Sequence, residues 1–159
     1  MRNQFAFLGI PVPLMTTIAR QVTADLPPPT GDSELAAVTL ACWELPEREY
    51  QHFGVWYARH HVSRAGPGFV PALERLVTSR SWWDTVDRLA TGVAGPLVLA
   101  HPELVRVVDR WIEADNFRLA RVAILHQMTD SDWRLEIRWP GAPDRGSAPR
   151  TGASPSVDG

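Results

Sequence analysis

The sequence contains no lysine, so all 16 basic residues are arginine, and they stand against 18 acidic residues in a chain of 159. The formal net charge of −2 gives no support to binding of nucleic acid by bulk charge, and any such site must be a local patch. The single cysteine, Cys42, excludes an internal disulfide and a cysteine metal motif. We expect a buried, unreactive thiol.

Long hydrophobic runs are also missing. The longest apolar stretches fall far short of the ~20 residues that a membrane-spanning helix needs, and no charged-then-apolar leader opens the chain. The composition therefore predicts a soluble, cytoplasmic protein without a membrane partner. The length allows one domain, or one domain and a tail.

Proline and tryptophan are abundant instead, with 14 and 7 copies. The prolines lie between apolar segments, which is typical of short helices with proline stops. In the first segment Leu14, Ile18, Val22 and Leu26 form one apolar stripe. Later spacings predict helices over 34–44 and 46–61, a helix that starts at Pro67 or Pro71 and runs to 77, helices over 82–93 and 102–114, and another after 115.

Several residues are predicted to cap these helices or to face the core. Asp32 or Ser33 would cap the second helix, Ser81 and Asp84 would cap the fifth reciprocally, and Asp115 would cap the last. The predicted inner faces are Leu35, Val38 and Cys42 on the second helix, and Tyr50, Phe53, Tyr57 and His61 on the third.

The helices predict an all-α fold. Antiparallel helix pairs of ~35 to 45 residues are the unit of a HEAT-like α-solenoid, although the same helices could form an irregular orthogonal bundle. We assign 1–128 to this domain. Residues 129–159 are rich in Pro, Gly and Ser and are predicted to form a disordered tail.

The adjacent tryptophans Trp82 and Trp83 are the most informative feature, because two neighbours on a helix cannot both point into one core. One of them should face outward. Trp83 and Asp87 are four residues apart and share a helix face. The plainer interpretation is that Trp82 and Trp83 pack and Asp87 pairs with Arg88 or Arg80.

Arg121 is the second candidate, since it lies beside the apolar stripe of the last predicted helix. An arginine there is usually a surface residue with a buried stem. If the helices stack in order, Arg121 would face the groove that carries Trp83 and Asp87. A cation, a carboxylate and an aromatic ring would then converge.

Five blocks of the sequence resemble the AlkD-type DNA alkylation-repair family of HEAT-like alkylpurine DNA glycosylases. The block with Ser81–Asp84 is the most specific of them. In chain order the blocks are 1–10, 43–51, 73–87, 101–104 and 111–127.

The resemblance implies an enzyme that excises cationic 3- and 7-alkylpurines from double-stranded DNA without a metal or another cofactor. Trp83 would match the aromatic residue that lies against the deoxyribose, Asp87 the catalytic carboxylate, and Arg121 the arginine that holds the DNA backbone. Further backbone contacts are expected from arginines and one tryptophan, namely Trp82, Arg48, Arg59, Arg80 and Arg118.

The histidines do not predict a metal site, because His60 and His61 are adjacent and so cannot form a ligand pair on one helix face. No phosphate-binding glycine loop or nucleophile elbow is found either.

The resemblance stops near Gln127, where the family continues through further helices, and the family also has a helix before Met1. The sequence thus resembles a truncated member, whose last helix, with Leu119, Val122 and Leu125, would be loosely held or would self-associate. Two alternatives to an active glycosylase follow. One is a weak or inactive protein that binds the DNA backbone, and the other is a helical module that binds protein.

Overall fold

A computed structural model describes residues 6–128, and it contains no strand within that range apart from one isolated bridge between Ala6 and Glu47. The all-α prediction is confirmed. The α-helices of the described chain are α1 (Val12–Thr23), α2 (Asp32–Glu44), α3 (Arg48–His60), α4 (Val70–Thr78), α5 (Trp83–Leu89), α6 (Gly95–Ala100), α7 (Val105–Ile112) and α8 (Phe117–Leu125). The predicted tail, 129–159, lies outside the described residues.

The helices stack in two layers. In the first layer α1 packs on α3, α3 on α5, and α5 on α8. In the second layer α2 and α4 pack on each other, while α7 covers α8. The short connections between α2 and α3 and between α7 and α8 make each of these an antiparallel pair, as in a helical repeat protein.

The stripe predicted for α1 is on the wrong face. Leu14 is 52% exposed, and Ile18 and Val22 are exposed with it, whereas α1 buries Met15 and Ala19. The four-residue period was read correctly, but its phase is shifted by one residue. A small residue such as Ala19 lets α1 approach α3 closely, and a periodicity argument that counts only large side chains does not detect it.

The faces predicted for α2 and α3 also need correction. The fully buried positions of α2 are Leu35, Thr39 and Trp43, while Val38 and Cys42 are only partly buried. Burial raises the pKa of the Cys42 thiol, in agreement with an unreactive cysteine. On α3 Tyr57 is buried as predicted, but Tyr50 is exposed.

Polar residues occupy the buried face of α3 instead. Arg48, Gln51 and His52 are buried on its first two turns, and the buried apolar side chains Val55, Tyr57 and Ala58 follow in its second half. A hydrophobic pattern could not reveal this face, because its first half carries hydrogen bonds rather than hydrocarbon.

Two predicted caps act differently in the structure. The carboxylate of Asp32 accepts a hydrogen bond from the Gly66 backbone N–H at 2.6 Å, so it joins α2 to the loop before α4 and does not cap its own helix. Ser81 donates to the Val77 carbonyl at the end of α4 rather than capping α5.

The cap of α8 is Asn116, not Asp115. The side-chain oxygen of Asn116 accepts a hydrogen bond from the Arg118 backbone N–H at 3.0 Å. Asn and Asp are both strong caps, and the choice between neighbours depends on where the first helical turn starts.

The chain stays helical after α5. It runs through one π turn, Ala90–Ala94, directly into α6. Pro96 explains the wide turn, because a proline inside a helix lacks an N–H and its ring would clash with the carbonyl four residues earlier, that of Gly92. The sequence predicted a helix that ends at 93, before Pro96, whereas the structure has one continuous helix over 83–100.

The N-terminal segment is held by one carboxylate. Glu49, at the start of α3, accepts backbone hydrogen bonds from Leu8, Gly9 and Ile10 at 3.0, 2.9 and 3.1 Å. Gly9 has φ of 82°, a value that suits glycine and lets three successive N–H groups turn inward. Burial alone would raise the pKa of Glu49, but these N–H groups outweigh it and lower that pKa.

Replacing Glu49 by Gln is expected to destabilise the fold by about 2 kcal/mol, since an amide presents one acceptor and two N–H groups to three donors. Urea unfolding followed by circular dichroism measures the loss. The exposed Glu113→Gln variant is the control and should change stability by less than about 0.5 kcal/mol. Equal midpoints for the two variants would show that Glu49 does not anchor the segment.

In the part of the chain that the structure describes, no helix is both long and apolar enough to cross a membrane.

Candidate functional site

Trp83, Asp87 and Arg121 meet at one place on the first helical layer. Asp87 lies one turn after Trp83 on α5, and Arg121 reaches it from α8. The guanidinium donates two hydrogen bonds to the carboxylate, from Nε at 2.5 Å and from Nη2 at 2.8 Å. The hydrogen bond to Asp87 raises the pKa of Arg121. Asp87 thus pairs with Arg121, and not with Arg88 or Arg80.

The pair is open to solvent. The Arg121 side chain is 45% exposed and that of Asp87 33%. A bidentate ion pair at this exposure contributes at most about 1 kcal/mol, because water screens both charges. A charged ligand can therefore separate the two side chains at little cost.

A groove of about 480 Å³ lies between α5 and α8 beside this pair. Trp83, which is 61% exposed, stands on one side of it, and Phe117 and Ile124 are exposed on the other. The outward orientation expected for one of the two tryptophans is thus found at Trp83. Trp82 is partly buried and also lines the groove.

Arg118 lines the same groove. Its guanidinium carbon lies 4.8 Å from the centre of the Phe117 ring, a cation–π contact. Arg118 and Arg121 are three residues apart and so share one face of α8. The groove carries two cations on that side, of which only Arg121 reaches the carboxylate of Asp87.

Arg80 is not part of this groove. It occupies the turn between α4 and α5 with φ of 48°, and its guanidinium donates to the carbonyls of Trp43 and Glu44 at 3.0 and 2.9 Å. These are the last carbonyls of α2, which a helix leaves without partners of its own. Arg80 therefore caps the end of α2 in the structure, whereas the sequence predicted a DNA contact for it.

Arg48 cannot contact DNA, because its side chain is fully buried. Its Nη2 donates to Asp84 at 2.6 Å and to the Thr85 hydroxyl at 3.2 Å, and its Nη1 donates to Gln51. Burial lowers the pKa of Arg48, while the charge of Asp84 opposes that effect. The sequence indicated neither this network nor its position under the first turn of α5.

The network fixes the start of the helix that carries the site. Asp84 also accepts the Thr85 backbone N–H at 2.9 Å, and the Trp82 N–H donates to the Thr85 hydroxyl at 3.3 Å. Trp83 lies between these anchored residues, so Arg48 sets its direction through the backbone. The sequence offered no local signal for Arg48, because its partners Asp84 and Thr85 lie 36 and 37 residues away along the chain.

His52 completes the cluster, with Nε2 3.6 Å from Asp84. Burial lowers the pKa of His52 below its usual 6.5, Asp84 raises it, and Arg48 lowers it further. The folded protein therefore keeps His52 neutral at a pH where the unfolded chain takes up a proton. Stability is complete above about pH 6.5 and falls as the pH decreases toward the folded pKa.

We expect the free energy of unfolding to fall between pH 7 and 5, with a contribution from His52 of at most about 1.4 kcal/mol per pH unit. His61, whose pKa is also lowered by burial, acts in the same direction. His52→Gln should flatten the slope. Urea titrations at several pH values measure this, and parallel slopes for the wild-type protein and His52→Gln would contradict the assignment.

His60 and His61 form ring contacts. His60 stacks on Trp56 with ring centres 4.9 Å apart, and it touches His61 edge-on. Among residues 6–128 there is no group of three or more His, Cys, Asp or Glu side chains that could hold a metal ion.

The fold and the site define a class of protein. It is an all-α helical repeat protein whose first helical layer presents an exposed tryptophan beside a carboxylate and an arginine. Residues 1–131 match the sequence profile of the family described as DNA alkylation repair enzyme. Because this match covers most of the 159 residues, the chain belongs to that family. No curated protein matches the chain significantly.

Proposed function

We propose that the protein is a DNA glycosylase that releases cationic 3- and 7-alkylpurines from double-stranded DNA. The observation that carries the proposal is the Asp87–Arg121 pair beside the exposed Trp83 at an open groove. Membership of a DNA alkylation repair family supports DNA as the partner. We place the activity in the cytoplasm, on the cell's DNA.

The chemistry needs little from the protein. An alkylated purine already carries a positive charge, so it departs without a strong general acid. The charge that develops in the transition state is on the sugar, which becomes oxocarbenium-like. A carboxylate held next to that sugar stabilises it electrostatically. We assign this role to Asp87, which is bonded to the groove residue Arg121.

Trp83 and Arg121 serve the same step. The face of the Trp83 indole is electron-rich and favours the polarised C–H groups of the sugar. Arg121 would move from Asp87 to a phosphate when DNA enters, which fixes the position of the duplex without reading its sequence. This exchange leaves Asp87 free to face the sugar and to orient the attacking water.

A second candidate is a member that binds the DNA backbone without excision. It is favoured by the fact that both oxygens of Asp87 are occupied by Arg121. If DNA did not separate the pair, the carboxylate could neither approach the sugar nor hold a water molecule.

One experiment separates the two. Purified protein is incubated with duplex DNA that carries 7-methylguanine, and abasic sites are cleaved chemically and counted. Cleavage only at the modified position supports the glycosylase. Retention of the duplex in a salt-sensitive manner without cleavage supports the second candidate. If the protein neither cleaves nor retains the duplex, DNA is not its partner.

Self-association remains a prediction, but the surface through which copies would associate differs from the one named from the sequence. Val122 is fully buried, and Leu119 and Leu125 are partly buried, so the face named from the sequence is not open. On α8 the exposed large apolar side chains are Phe117 and Ile124. Sedimentation at rising concentration tests whether copies associate through them.

A further inference from the structure

The groove between α5 and α8 has a wall of exposed apolar side chains. Trp83, Phe117 and Ile124 line it and are each more than half exposed, and Met128, just beyond α8, is exposed as well. Because they are exposed, no side chain among residues 6–128 covers them. Burial of apolar surface contributes about 25 cal/mol per Å², so such a wall favours an apolar occupant.

The described residues end at the edge of this wall. After α8 the Met128 N–H donates to the Leu125 carbonyl at 2.9 Å, which turns the backbone at the end of the helix. Leu125 itself lines the groove. The residues that follow Met128 therefore start beside the exposed apolar side chains.

Residues 133–139 carry apolar side chains in a pattern that suits this wall. Their sequence is Trp-Arg-Leu-Glu-Ile-Arg-Trp, in which large apolar and charged residues alternate without exception. In an extended chain a period of two places all the apolar side chains on one face, whereas on a helix residues two apart point about 160° apart. The pattern predicts an extended segment with one apolar face. Between Pro140 and Gly159 the only large aliphatic residue is Val157, so the rest of the chain has no such face.

The groove lies within reach of this segment, and the exposed stripe on α1 does not. The five backbone steps from Met128 to Trp133 span at most about 17 Å. Packed helices lie ~8–10 Å apart, so α1, which is three helices away from α8 along the first layer, is roughly 25–30 Å distant. From Ile124 to Phe117, in contrast, α8 is only about 10 Å long. Seven extended residues cover about 20 Å and can run the length of the groove.

The charges agree with this placement. Two arginines, Arg118 and Arg121, line the groove, and none of its described lining residues is acidic. The residues that link α8 to the segment include two carboxylates, Asp130 and Asp132. These opposite charges lie within one Debye length, about 10 Å, when the segment follows α8.

We propose that residues 133–139 lie along the groove in extended form, with Trp133, Leu135, Ile137 and Trp139 against its apolar wall. The groove is then occupied by the chain's own segment in the absence of a ligand, and a ligand that contacts Trp83 has to displace it. The part of the chain predicted to be disordered would begin at Pro140 rather than at 129. This inference goes beyond the proposed function, because it holds for any ligand of the groove.

The test is a set of disulfide-trapping variants of the full chain. Ala120, which lines the groove on α8, is replaced by Cys, and a second Cys is placed in turn at each position from 134 to 138. A disulfide requires the two Cβ atoms to approach to about 3.5–4.5 Å, so positions that face the groove should oxidise at least about tenfold faster than their neighbours. We expect fast intramolecular oxidation at 135 and 137 and slow oxidation at 134, 136 and 138.

The even positions are matched controls, because they differ from the odd ones by a single residue of chain length. A segment without contact to the groove would give rates that change smoothly along the chain. Cys42 is only partly buried, and its background reaction is measured in the unsubstituted protein.

A second measurement uses the single variant Ala120→Cys. The reaction of its thiol with a soluble disulfide reagent depends on access, which the docked segment restricts. Addition of Leu135→Ser and Ile137→Ser should raise the rate about threefold or more, because both changes remove apolar contacts of the segment. Val157→Ser is the same kind of change outside the segment and should leave the rate unchanged.

The outcomes decide between this segment and other occupants. Equal oxidation rates at all five positions would overturn the proposal, and so would a thiol whose reactivity does not respond to Leu135→Ser and Ile137→Ser. Disulfides between chains, with a yield that rises with protein concentration, would also overturn it, since a second copy would then occupy the groove. Neither measurement contains DNA, so the result does not depend on whether the protein excises alkylpurines.

Discussion

Asp87→Asn is expected to lower the rate of 7-methylguanine release by about 100-fold to 1000-fold, the usual cost of losing one electrostatic contact to the transition state. Asparagine keeps the shape of the side chain but not its charge, so it cannot stabilise a cationic sugar. Release is measured under single-turnover conditions, where binding and product dissociation do not limit the rate.

Two comparisons make this result specific to Asp87. The exposed Asp115→Asn variant carries the same change of charge and should retain full activity. Stability should fall by no more than about 1 kcal/mol in Asp87→Asn, because the pair with Arg121 is largely solvated. Equal release by wild type and Asp87→Asn would remove Asp87 from the mechanism.

Arg48→Met is expected to have the largest effect on stability, a loss of about 3–5 kcal/mol. The variant keeps much of the buried volume but leaves the charge of Asp84, which is only 13% exposed, without its cation. Since native domains are stable by only about 5–15 kcal/mol, such a loss places the protein near unfolding at ordinary temperatures. Urea unfolding at pH 7 measures it.

An exposed pair provides the control. Arg75 donates to Glu44 at 2.8 Å with both side chains about 60% exposed, the values being 62% and 61%. Arg75→Met should therefore cost less than about 1 kcal/mol. The double variant Arg48→Met, Asp84→Leu should recover part of the loss, because it removes the stranded charge as well. A small effect of Arg48→Met alone would show that water reaches Asp84.

The order of the helices could be predicted from the sequence because proline and apolar period are local signals, although α6 was not among the predicted helices. That Trp83, Asp87 and Arg121 lie close together could also be expected, because the resemblance supplied an alignment and because Trp83 and Asp87 share a face. The pairing partner of Asp87 could not be predicted. Spacing along the chain offered Arg88 and Arg80 as alternatives, and only the packing of α8 on α5 brings Arg121 to Asp87.

The failures share one physical cause. Arg48 and Glu49 look like ordinary charged residues at the start of a helix, yet both are buried and bind groups about 36 to 41 residues away along the chain. Burial of a charge is decided by the partner, not by the residue type. The stripe on α1 failed for a related reason, because Ala19 is the contact residue there and small side chains give no signal of their own.

The π turn divides the continuous helix over 83–100 into two halves. The side chains of one half are rotated about the helix axis relative to those of the other, compared with a regular helix. A wide turn accommodates one residue more than an α-turn, and one residue corresponds to about 100° of rotation. Trp83, before Ala90, is thereby oriented for the groove, while Leu97, after Ala94, is oriented for the interior. Deletion of Thr91 would remove one residue from this turn and rotate Trp83 and Asp87 away from α8 by about that angle, even though every side chain of the site would still be present.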